Sequence, residues 1–268
     1  MPDGPDPLAA LAAVEREEGV AVLFAAESGS RAWGFASPDS DWDVRFIYAR
    51  PVAGYLRVRP GLDVIERPCL PGDLDLSGWD LRKALALLLK GNCAVREWLD
   101  SPIVYRRVPS LADDLRRLAS RVPARAAARH HHRSLAVQVR ARWLRRRPFP
   151  LKKYLYAVRP ALALLWLAEH PDGAPPMDLP ALLASVSLAD AEAAAVAALV
   201  EAKRAAPEMG EGEADPALDG LIERAVAWAE ARGPDDRAPH PPAEALAEAD
   251  RIMRLGAYYA DAKGSGDA

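Results

Sequence analysis

Cysteine is scarce in this chain: only Cys69 and Cys93 occur among its 268 residues. Two thiols cannot build a disulfide framework or a cysteine-rich zinc site, so we expect two reduced side chains that pack as small hydrophobes. No apolar run reaches the roughly 18 residues that cross a bilayer, and the N-terminus lacks the pattern of a signal peptide. We therefore expect a cytoplasmic protein that has no membrane partner.

Two further absences narrow the possible functions. Neither the P-loop nor the Rossmann glycine fingerprint occurs, which argues against both of those nucleotide sites. Residues 121–159 contain no Asp or Glu, although the whole chain has a net charge of −3. The basic residues of this stretch are Arg121, Arg125, Arg129, Arg133, Arg140, Arg142, Arg145, Arg146, Arg147, Lys152, Lys153 and Arg159. Such a block predicts an anion-binding surface, most often one for nucleic acid or polyphosphate.

What the chain does contain is a pair of aspartates, Asp41 and Asp43, at the start of an apolar run. Alternate residues of a strand share a face, so both carboxylates should project from one side of a sheet. They repel each other, and oxygen ligands favour a hard cation such as Mg2+ as the counter-charge. The Gly29-Ser30 turn offers backbone N–H groups and a hydroxyl to phosphate. The alternative is a solvated turn that leads into an edge strand.

Longer strings around these residues resemble a known family. Gly29-Ser30 followed by Ser40-Asp41-Trp42-Asp43 resembles the signature of the DNA polymerase beta-like nucleotidyltransferase superfamily. The strings at 29–48, 78–85, 101–105 and 152–160 resemble, more narrowly, its predicted RNA-repair-pathway members, whose role was inferred largely from association with RNA ligases. The resemblance implies an α+β protein, with a small mixed β-sheet nucleotidyltransferase domain followed by a C-terminal all-helical domain. We place these domains at 1–108 and 109–268, the second completing the cleft for NTP and acceptor.

The resemblance also implies a reaction: a nucleoside monophosphate passes from an NTP to a hydroxyl, and pyrophosphate leaves. Two Mg2+ ions are expected, with Mn2+ as a substitute. The expected partners are the NTP, RNA as the acceptor and an RNA ligase as a functional associate. A protein or small-molecule acceptor is one alternative, and a catalytically silent RNA-binding protein is the other.

Three carboxylates are assigned to the metal ions and to catalysis, namely Asp41, Asp43 and Asp75. Asp75 lies between two leucines, a pattern that places one acid on the polar face of a short strand. The family also carries its third acid at about this place. The other downstream acids that could fill the role are Asp63, Glu66, Asp73 and Asp80.

Nucleotide binding is assigned to Gly29, Ser30, Arg31 and Ser40 within the same strings. Superfamily relatives bind the triphosphate with a Lys and a Tyr of the helical domain. By resemblance, the corresponding residues in this sequence are Lys153 and Tyr156. Lys152, Tyr154 and Arg159 are alternatives to these two, and core packing is an alternative role for the tyrosines. The residues assigned to nucleic acid are Arg129, Arg133, Arg145, Arg146, Arg147 and Lys152.

The basic block should include one helical stripe. Arg121, Arg125, Arg129 and Arg133 recur every four residues and have no acidic neighbours in sequence. We therefore expect an external anion to neutralise them. Residues 130–132 are three histidines, which should be surface or stacking groups, because consecutive helical residues diverge too far to share one metal ion.

The coarse pattern predicts a first helix from Pro7 to about Glu17, with Asp6 as its cap. Strands are predicted at Val20–Ala26, Asp43–Tyr48, Asp63–Arg67 and Leu74–Leu76. A helix should begin near Trp79, and only helix and loop are expected beyond Ser110.

Overall fold

The computed structural model of the chain describes residues 4–144, 148–205, 210–233 and 240–266. These residues form two compact units. The sheet unit takes its residues from 1–32, 41–123 and 240–268, and the helical unit from 33–40 and 124–239. No helix in the described ranges is both long enough and apolar enough to cross a membrane.

A mixed five-stranded sheet is the centre of the sheet unit. Its strands are β1 (Ala21–Ser28), β2 (Trp42–Ala49), β3 (Val64–Leu70), β4 (Leu74–Asp80) and β5 (Val104–Arg107). They lie in the order β3-β4-β2-β1-β5. The β2–β4 pair is parallel and the other pairs are antiparallel. The predicted α+β class, a small mixed sheet followed by helices, is therefore confirmed.

Apolar side chains cover both faces of this sheet. The helices of the unit are α1 (Pro7–Glu18), α2 (Gly29–Ala32), α3 (Val52–Tyr55), α4 (Leu81–Leu88), α5 (Cys93–Leu99), α6 (Pro109–Arg121) and α12 (Ala243–Ser265). Helix α1 packs Leu11 and Val14 on one face, against side chains such as Phe46. Helices α4, α5, α6 and α12 cover the other face, around Leu23 and Ile47. Helices thus pack on both faces of the sheet.

Several predicted elements agree with the structure. Helix α1 starts at Pro7, where the carboxylate of Asp6 accepts hydrogen bonds from the N–H groups of Leu8 and Ala9. Strand β4 runs on through Trp79, where a helix was expected, and α4 begins at Leu81 with Asp80 as its cap. Parallel pairing with β2 along its whole length explains the longer strand.

Strand β5 was missed by the sequence pattern. It has four residues, Val104–Arg107, and two of them are arginines. So short and polar a segment carries no strand periodicity of its own, and it becomes a strand because the edge of β1 offers it hydrogen bonds.

The helical unit is built around α8 (Lys152–Glu169), which is buried continuously from Ala157 to Leu167. The other helices of the unit are α7 (Arg125–Val139), a π-helical turn (Arg140–Leu144), α9 (Leu179–Ser185), α10 (Asp190–Ala205) and α11 (Pro216–Glu230). Two short strands, β6 (Phe149–Pro150) and β7 (Glu211–Gly212), pair with each other. This small sheet was not expected in a region predicted to contain only helix and loop.

The predicted arginine stripe is wrong in two respects. Helix α6 ends at Arg121 and a new helix begins at Arg125, so the four arginines do not share one helix. One of the four also has an acidic partner, because Arg133 forms an ion pair with Glu230 at 2.7 Å. Glu230 belongs to α11, almost a hundred residues away in sequence, which is why the local pattern did not reveal it.

His132 is buried, which corrects the expectation of surface histidines, although its ring does contact that of His131 edge to face at 5.1 Å. Its Nδ1 has no hydrogen-bond partner among the described residues. Burial lowers the pKa of His132 well below the ordinary value, and the positive charge of Arg159 adds to this effect. The imidazole is therefore neutral in the folded protein.

We predict that His132 makes folding stability depend on pH. Above the unfolded-state pKa of about 6.5, His132 is neutral in both states and its contribution is constant. As pH falls below that value, the unfolded chain gains a proton that the folded chain cannot accept, so stability is lost. Urea unfolding from pH 7.5 to pH 5.5 should show a smaller loss for His132→Phe than for wild type. The exposed neighbour provides the control, because His130→Phe should lose as much stability as wild type.

Candidate active site

Strand pairing places two carboxylates side by side. Asp43 of β2 and Asp75 of β4 are register partners in the parallel pair, so their side chains leave the same face of the sheet. Among the five downstream acids considered from sequence, Asp75 is thus the one directly opposite Asp43. The pairing gives the site two carboxylates on rigid, neighbouring strands.

Arg45 connects these two carboxylates. It lies two residues beyond Asp43 on the same face, and its Nη2 contacts Asp43 Oδ1 at 2.8 Å and Asp75 Oδ2 at 3.0 Å. Burial raises the pKa of the Asp43 carboxyl above its ordinary value. The negative charges of Asp75 and Asp41 raise it further, whereas Arg45 opposes the rise. Burial and the neighbouring negative charges together therefore outweigh the effect of the guanidinium on this pKa.

Asp41 lies just before β2 and is exposed. Its backbone carbonyl accepts a hydrogen bond from Nε of Arg31 at 3.1 Å. The guanidinium of Arg31 also stacks over the Trp42 ring, 4.1 Å from the centroid. Arg31, assigned to nucleotide from the sequence, thus braces the backbone at Asp41 in this structure.

Gly29 touches the Asp43 carboxylate closely. It follows β1 directly, where Ser28 pairs with Asp43, and it adopts a left-handed backbone with φ of +64°. A Cβ at this position would lie 2.1 Å from Asp43 Oδ2. A side chain is excluded by both the backbone angle and the carboxylate. Ser30, the next residue, is half-buried.

A fully buried glutamate supports the same strand. Glu27 Oε1 accepts a hydrogen bond from the backbone N–H of Asp43 at 2.7 Å, and Oε2 accepts one from the hydroxyl of Tyr105. Ser101 Oγ donates to the Glu27 carbonyl at 2.7 Å. Burial raises the pKa of Glu27, and the charge of Asp43 adds to the rise. The buried acid holds the backbone from which Asp43 projects.

Glu27, Arg45 and Tyr105 were missed in the sequence reasoning. Each lies inside or next to one of the strings that resemble the family, so the strings marked the region. Their roles depend on cross-strand contacts, which a linear pattern does not show.

The other downstream acids have different surroundings. Asp80 is buried, caps α4 and accepts a hydrogen bond from the Tyr55 hydroxyl at 3.2 Å. Asp63 contacts Lys83 Nζ at 3.1 Å, Glu66 is exposed on β3, and Asp73 lies in a turn with φ of +56°. The contacts of Asp80 and Asp63 give these two acids structural roles.

Carboxylate oxygens are the donors that this site offers to a divalent cation. Among the described residues, no three His, Cys, Asp or Glu side chains are grouped so as to hold a metal ion. Mg2+ is commonly held by one or two carboxylates together with water and substrate phosphates. Asp43 and Asp75 provide hard oxygen donors, and the charge of Asp41 is close enough to affect Asp43. The donor chemistry of Asp43 and Asp75 fits such an ion.

The helical unit groups basic and aromatic side chains on α8 and the π-helical turn. Lys153 Nζ lies 4.9 Å from the Trp143 ring centroid and 5.1 Å from that of Tyr156. Arg142 stacks on Trp143 at 5.3 Å. Burial lowers the pKa of Lys153, with the charges of Lys152 and Arg142 acting in the same direction. We call Arg142, Trp143, Lys152, Lys153 and Tyr156 the basic-aromatic patch.

Two of the alternatives to Lys153 and Tyr156, namely Tyr154 and Arg159, are more buried than those two side chains. Tyr154 is buried and its hydroxyl donates to Asp219 Oδ1 at 2.7 Å. Arg159 is also buried, donates to the Met177 carbonyl at 2.9 Å and stacks over Trp33. Both side chains therefore have packing roles inside the helical unit.

The residues assigned to nucleic acid have mixed environments. Arg145, Arg146 and Arg147 lie outside the described residues. Arg129 is buried and donates to the Gly233 carbonyl at 3.2 Å, and Arg133 pairs with Glu230. Lys152 is half-buried at the start of α8. Part of the basic block thus serves the fold itself.

Comparisons with known proteins identify the family of this chain. A family model described as "RlaP: RNA repair pathway DNA polymerase beta family" matches residues 5–254. The chain is also 39% identical over 196 residues to "Uncharacterized protein YcgL" of Bacillus subtilis (strain 168), a match that covers 73% of this chain and 75% of the relative. The class that the family model defines is the DNA polymerase beta family of proteins. Within that class, the chain belongs to the RNA repair pathway family, as the sequence strings predicted.

We predict that Gly29 has a role beyond its backbone angle, and Gly19 allows the two effects to be separated. Both glycines are left-handed, but a Cβ at Gly19 would meet no atom within 4 Å. Gly19→Ala should lose about 1–2 kcal/mol of unfolding free energy from backbone strain, and Gly29→Ala should lose more, because its methyl group also collides with the Asp43 carboxylate. Only Gly29→Ala should also weaken Mn2+ binding, because its methyl group displaces the Asp43 carboxylate. Titration calorimetry checks this, and equal Mn2+ affinities in the two variants would contradict it.

Proposed function

We propose that this protein transfers a nucleoside monophosphate from an NTP to a hydroxyl group of RNA, with release of pyrophosphate. The observation that carries the proposal is the pairing of Asp43 with Asp75 beside the Gly29-Ser30 turn. Carboxylates next to a turn that carries backbone N–H groups and a serine hydroxyl suit phosphoryl chemistry. Membership of the RNA repair pathway family supports the same reaction class.

In the proposed reaction, the acceptor oxygen forms a bond to the α-phosphorus while the bond between that phosphorus and the bridging oxygen breaks. The bridging oxygen leaves with the β- and γ-phosphates as pyrophosphate. Asp75 accepts the proton of the acceptor hydroxyl, because Arg45 occupies only one of its two oxygens. Arg45 keeps Asp75 and Asp43 oriented, and Glu27 fixes the backbone at Asp43.

Bound Mg2+, or Mn2+ in its place, would neutralise the charge that develops on the phosphate oxygens. Asp41 and Asp43 would hold the ions with Asp75. The Gly29-Ser30 turn would take the β- and γ-phosphates through backbone N–H groups and the Ser30 hydroxyl. The assignments of Arg31 and Ser40 to nucleotide, and of Lys153 and Tyr156 to the triphosphate, stay predictions of the family resemblance.

RNA is favoured as the acceptor by the basic-aromatic patch. Cationic side chains that alternate with indole and phenol rings suit single-stranded RNA, because the cations attract phosphates while bases stack on the rings. The patch has these features at Arg142 and Trp143. The family name points to RNA repair, and an RNA ligase is the functional associate that we expect.

We predict that Asp41→Ala and Asp43→Ala each reduce transfer by on the order of a thousandfold, because each removes a carboxylate that stabilises the transition state. Thermal stability should stay equal or rise slightly for Asp43→Ala, since the raised pKa shows that its charge is unfavourable in the fold. The assay follows labelled NTP into RNA isolated from cells, with Mn2+ binding measured in parallel.

Asp63→Ala is the control for these variants, because Asp63 is an exposed acid that pairs with Lys83. It should keep wild-type transfer. Near-normal activity of Asp41→Ala or Asp43→Ala would overturn the proposed function. Label that appears on protein or a small molecule, and not on RNA, would replace the acceptor while leaving the reaction class intact.

We also predict a specific salt dependence of RNA binding. Each phosphate contact to single-stranded RNA contributes about 0.7 to the slope of log affinity against log salt. Arg142→Ala combined with Lys152→Ala should flatten that slope by about 1.4 units. Arg140→Ala is the control, because its guanidinium already pairs with Glu223, and it should leave the slope nearly unchanged. Equal slopes in all three proteins would remove the patch from the RNA interface.

A further inference from the structure

Residues 33–40 lie between the Gly29-Ser30 turn and strand β2, which carries Asp43. They nevertheless fold with the helical unit. The Trp33 carbonyl accepts a hydrogen bond from the Leu179 N–H at 2.9 Å. Arg204 Nη2 donates to the Gly34 carbonyl at 3.0 Å. Trp33 also contacts the ring of Tyr156 edge to face. The segment that ends at Ser40 is therefore held by helices that come more than a hundred residues later.

The end of this segment is a buried turn. Ser37 and Ser40 are 3% and 9% exposed. Their hydroxyls lie 3.1 Å apart, the Ser37 N–H donates to Ser40 Oγ at 3.0 Å, and the Ser40 N–H donates to the Ser37 carbonyl at 3.0 Å. Both serine side chains are thus used inside the turn.

Lys203 of α10 reaches into this turn. It is only 8% exposed, and its Nζ donates a hydrogen bond to Ser37 Oγ. A buried ammonium group is costly unless its hydrogen bonds are made, so this contact is strongly held once the fold has formed. Loss of the lysine would leave buried hydroxyls with a missing donor. The bond therefore fixes the turn in one conformation.

The turn is joined directly to the candidate active site. Ser40 is bonded through its peptide group to Asp41, and Asp41 is two residues from Asp43. A change in ψ of Ser40 moves the Asp41 carboxylate, because the peptide group that joins the two residues is rigid and turns as a unit with the Asp41 Cα. Arg31 braces the Asp41 carbonyl from the other side of the chain.

We infer that Lys203 is a positioning residue for Asp41, acting through the Ser37–Ser40 turn. The inference rests on the proposed function, since it takes Asp41 as a metal ligand. Lys203 touches neither NTP nor metal in this role. It fixes the backbone conformation of the turn that immediately precedes Asp41.

The test compares the full-length variant Lys203→Met with Arg224→Met. Arg224 is an exposed side chain that binds α10 through Glu192 at 2.7 Å, so its loss perturbs the same helix away from the turn. Amide hydrogen exchange of residues 33–41 is measured in metal-free protein, together with Mn2+ affinity and the kcat and KM of transfer. Lys203→Met should raise exchange and weaken Mn2+ by about tenfold each, as expected for a missing buried hydrogen bond. It should lower kcat while KM for NTP changes little, and Arg224→Met should match wild type.

Lys203→Arg keeps a donor and should recover part of the Mn2+ affinity. If Lys203→Met does not fold, Ser37→Ala, which removes only the hydroxyl, replaces it with the same expected results. Unchanged exchange and Mn2+ affinity in a folded variant would overturn the inference. Wild-type protein that binds Mn2+ and transfers no nucleotide would overturn the proposed function alone, because exchange and metal affinity still test the role of Lys203.

Discussion

The parallel pairing of β2 with β4 is the constraint on which the rest of the site depends. It places Asp43 opposite Asp75 on the neighbouring strand. Two partly buried carboxylates in this arrangement repel each other unless a cation lies between them. Arg45 provides a cation, Gly29 leaves room for a carboxylate oxygen, and Glu27 holds the backbone. Negative charge nevertheless remains in excess. That excess disfavours the ionised form of Asp43. Carboxylate oxygens that carry excess negative charge are also the donors that a divalent cation prefers.

Many of the basic side chains at 121–159 make contacts within the fold. The sequence block at 121–159 suggests one continuous basic surface, but the fold uses several of its members internally. Arg133 and Arg140 pair with glutamates of α11, and Arg125 donates to carbonyls at the end of α8, including that of His170 at 2.5 Å. The part best suited to an external anion is the basic-aromatic patch, where cations stack on rings. The number of basic residues in this stretch therefore overstates how many of them are available to bind a partner.

The strands β1 and β2 and the cap of α1 were predictable because their signals are local: an apolar run, an alternation, and Asp6 before Pro7. Strand β5 was not, since an edge strand of four residues takes its structure from its neighbour. The carboxylate pattern and the Gly-Ser turn were also visible in sequence. Glu27 and Tyr105 were not recognised, because they are 78 residues apart and meet only across strands.

The sequence by itself determined the class of fold, the family and the chemical types at the candidate site, because these depend on residue identity at short spacing. Only the tertiary structure decided which acid faces Asp43, which arginines are already paired, and that residues 33–40 fold with α8, α9 and α10. It also showed that α12 returns to the sheet unit, where Gly256 lets it approach Leu81 and Leu23. Contacts of this kind join residues far apart in the chain. Their energy comes from packing and buried charge, and a local pattern carries no record of the partner that a side chain will meet.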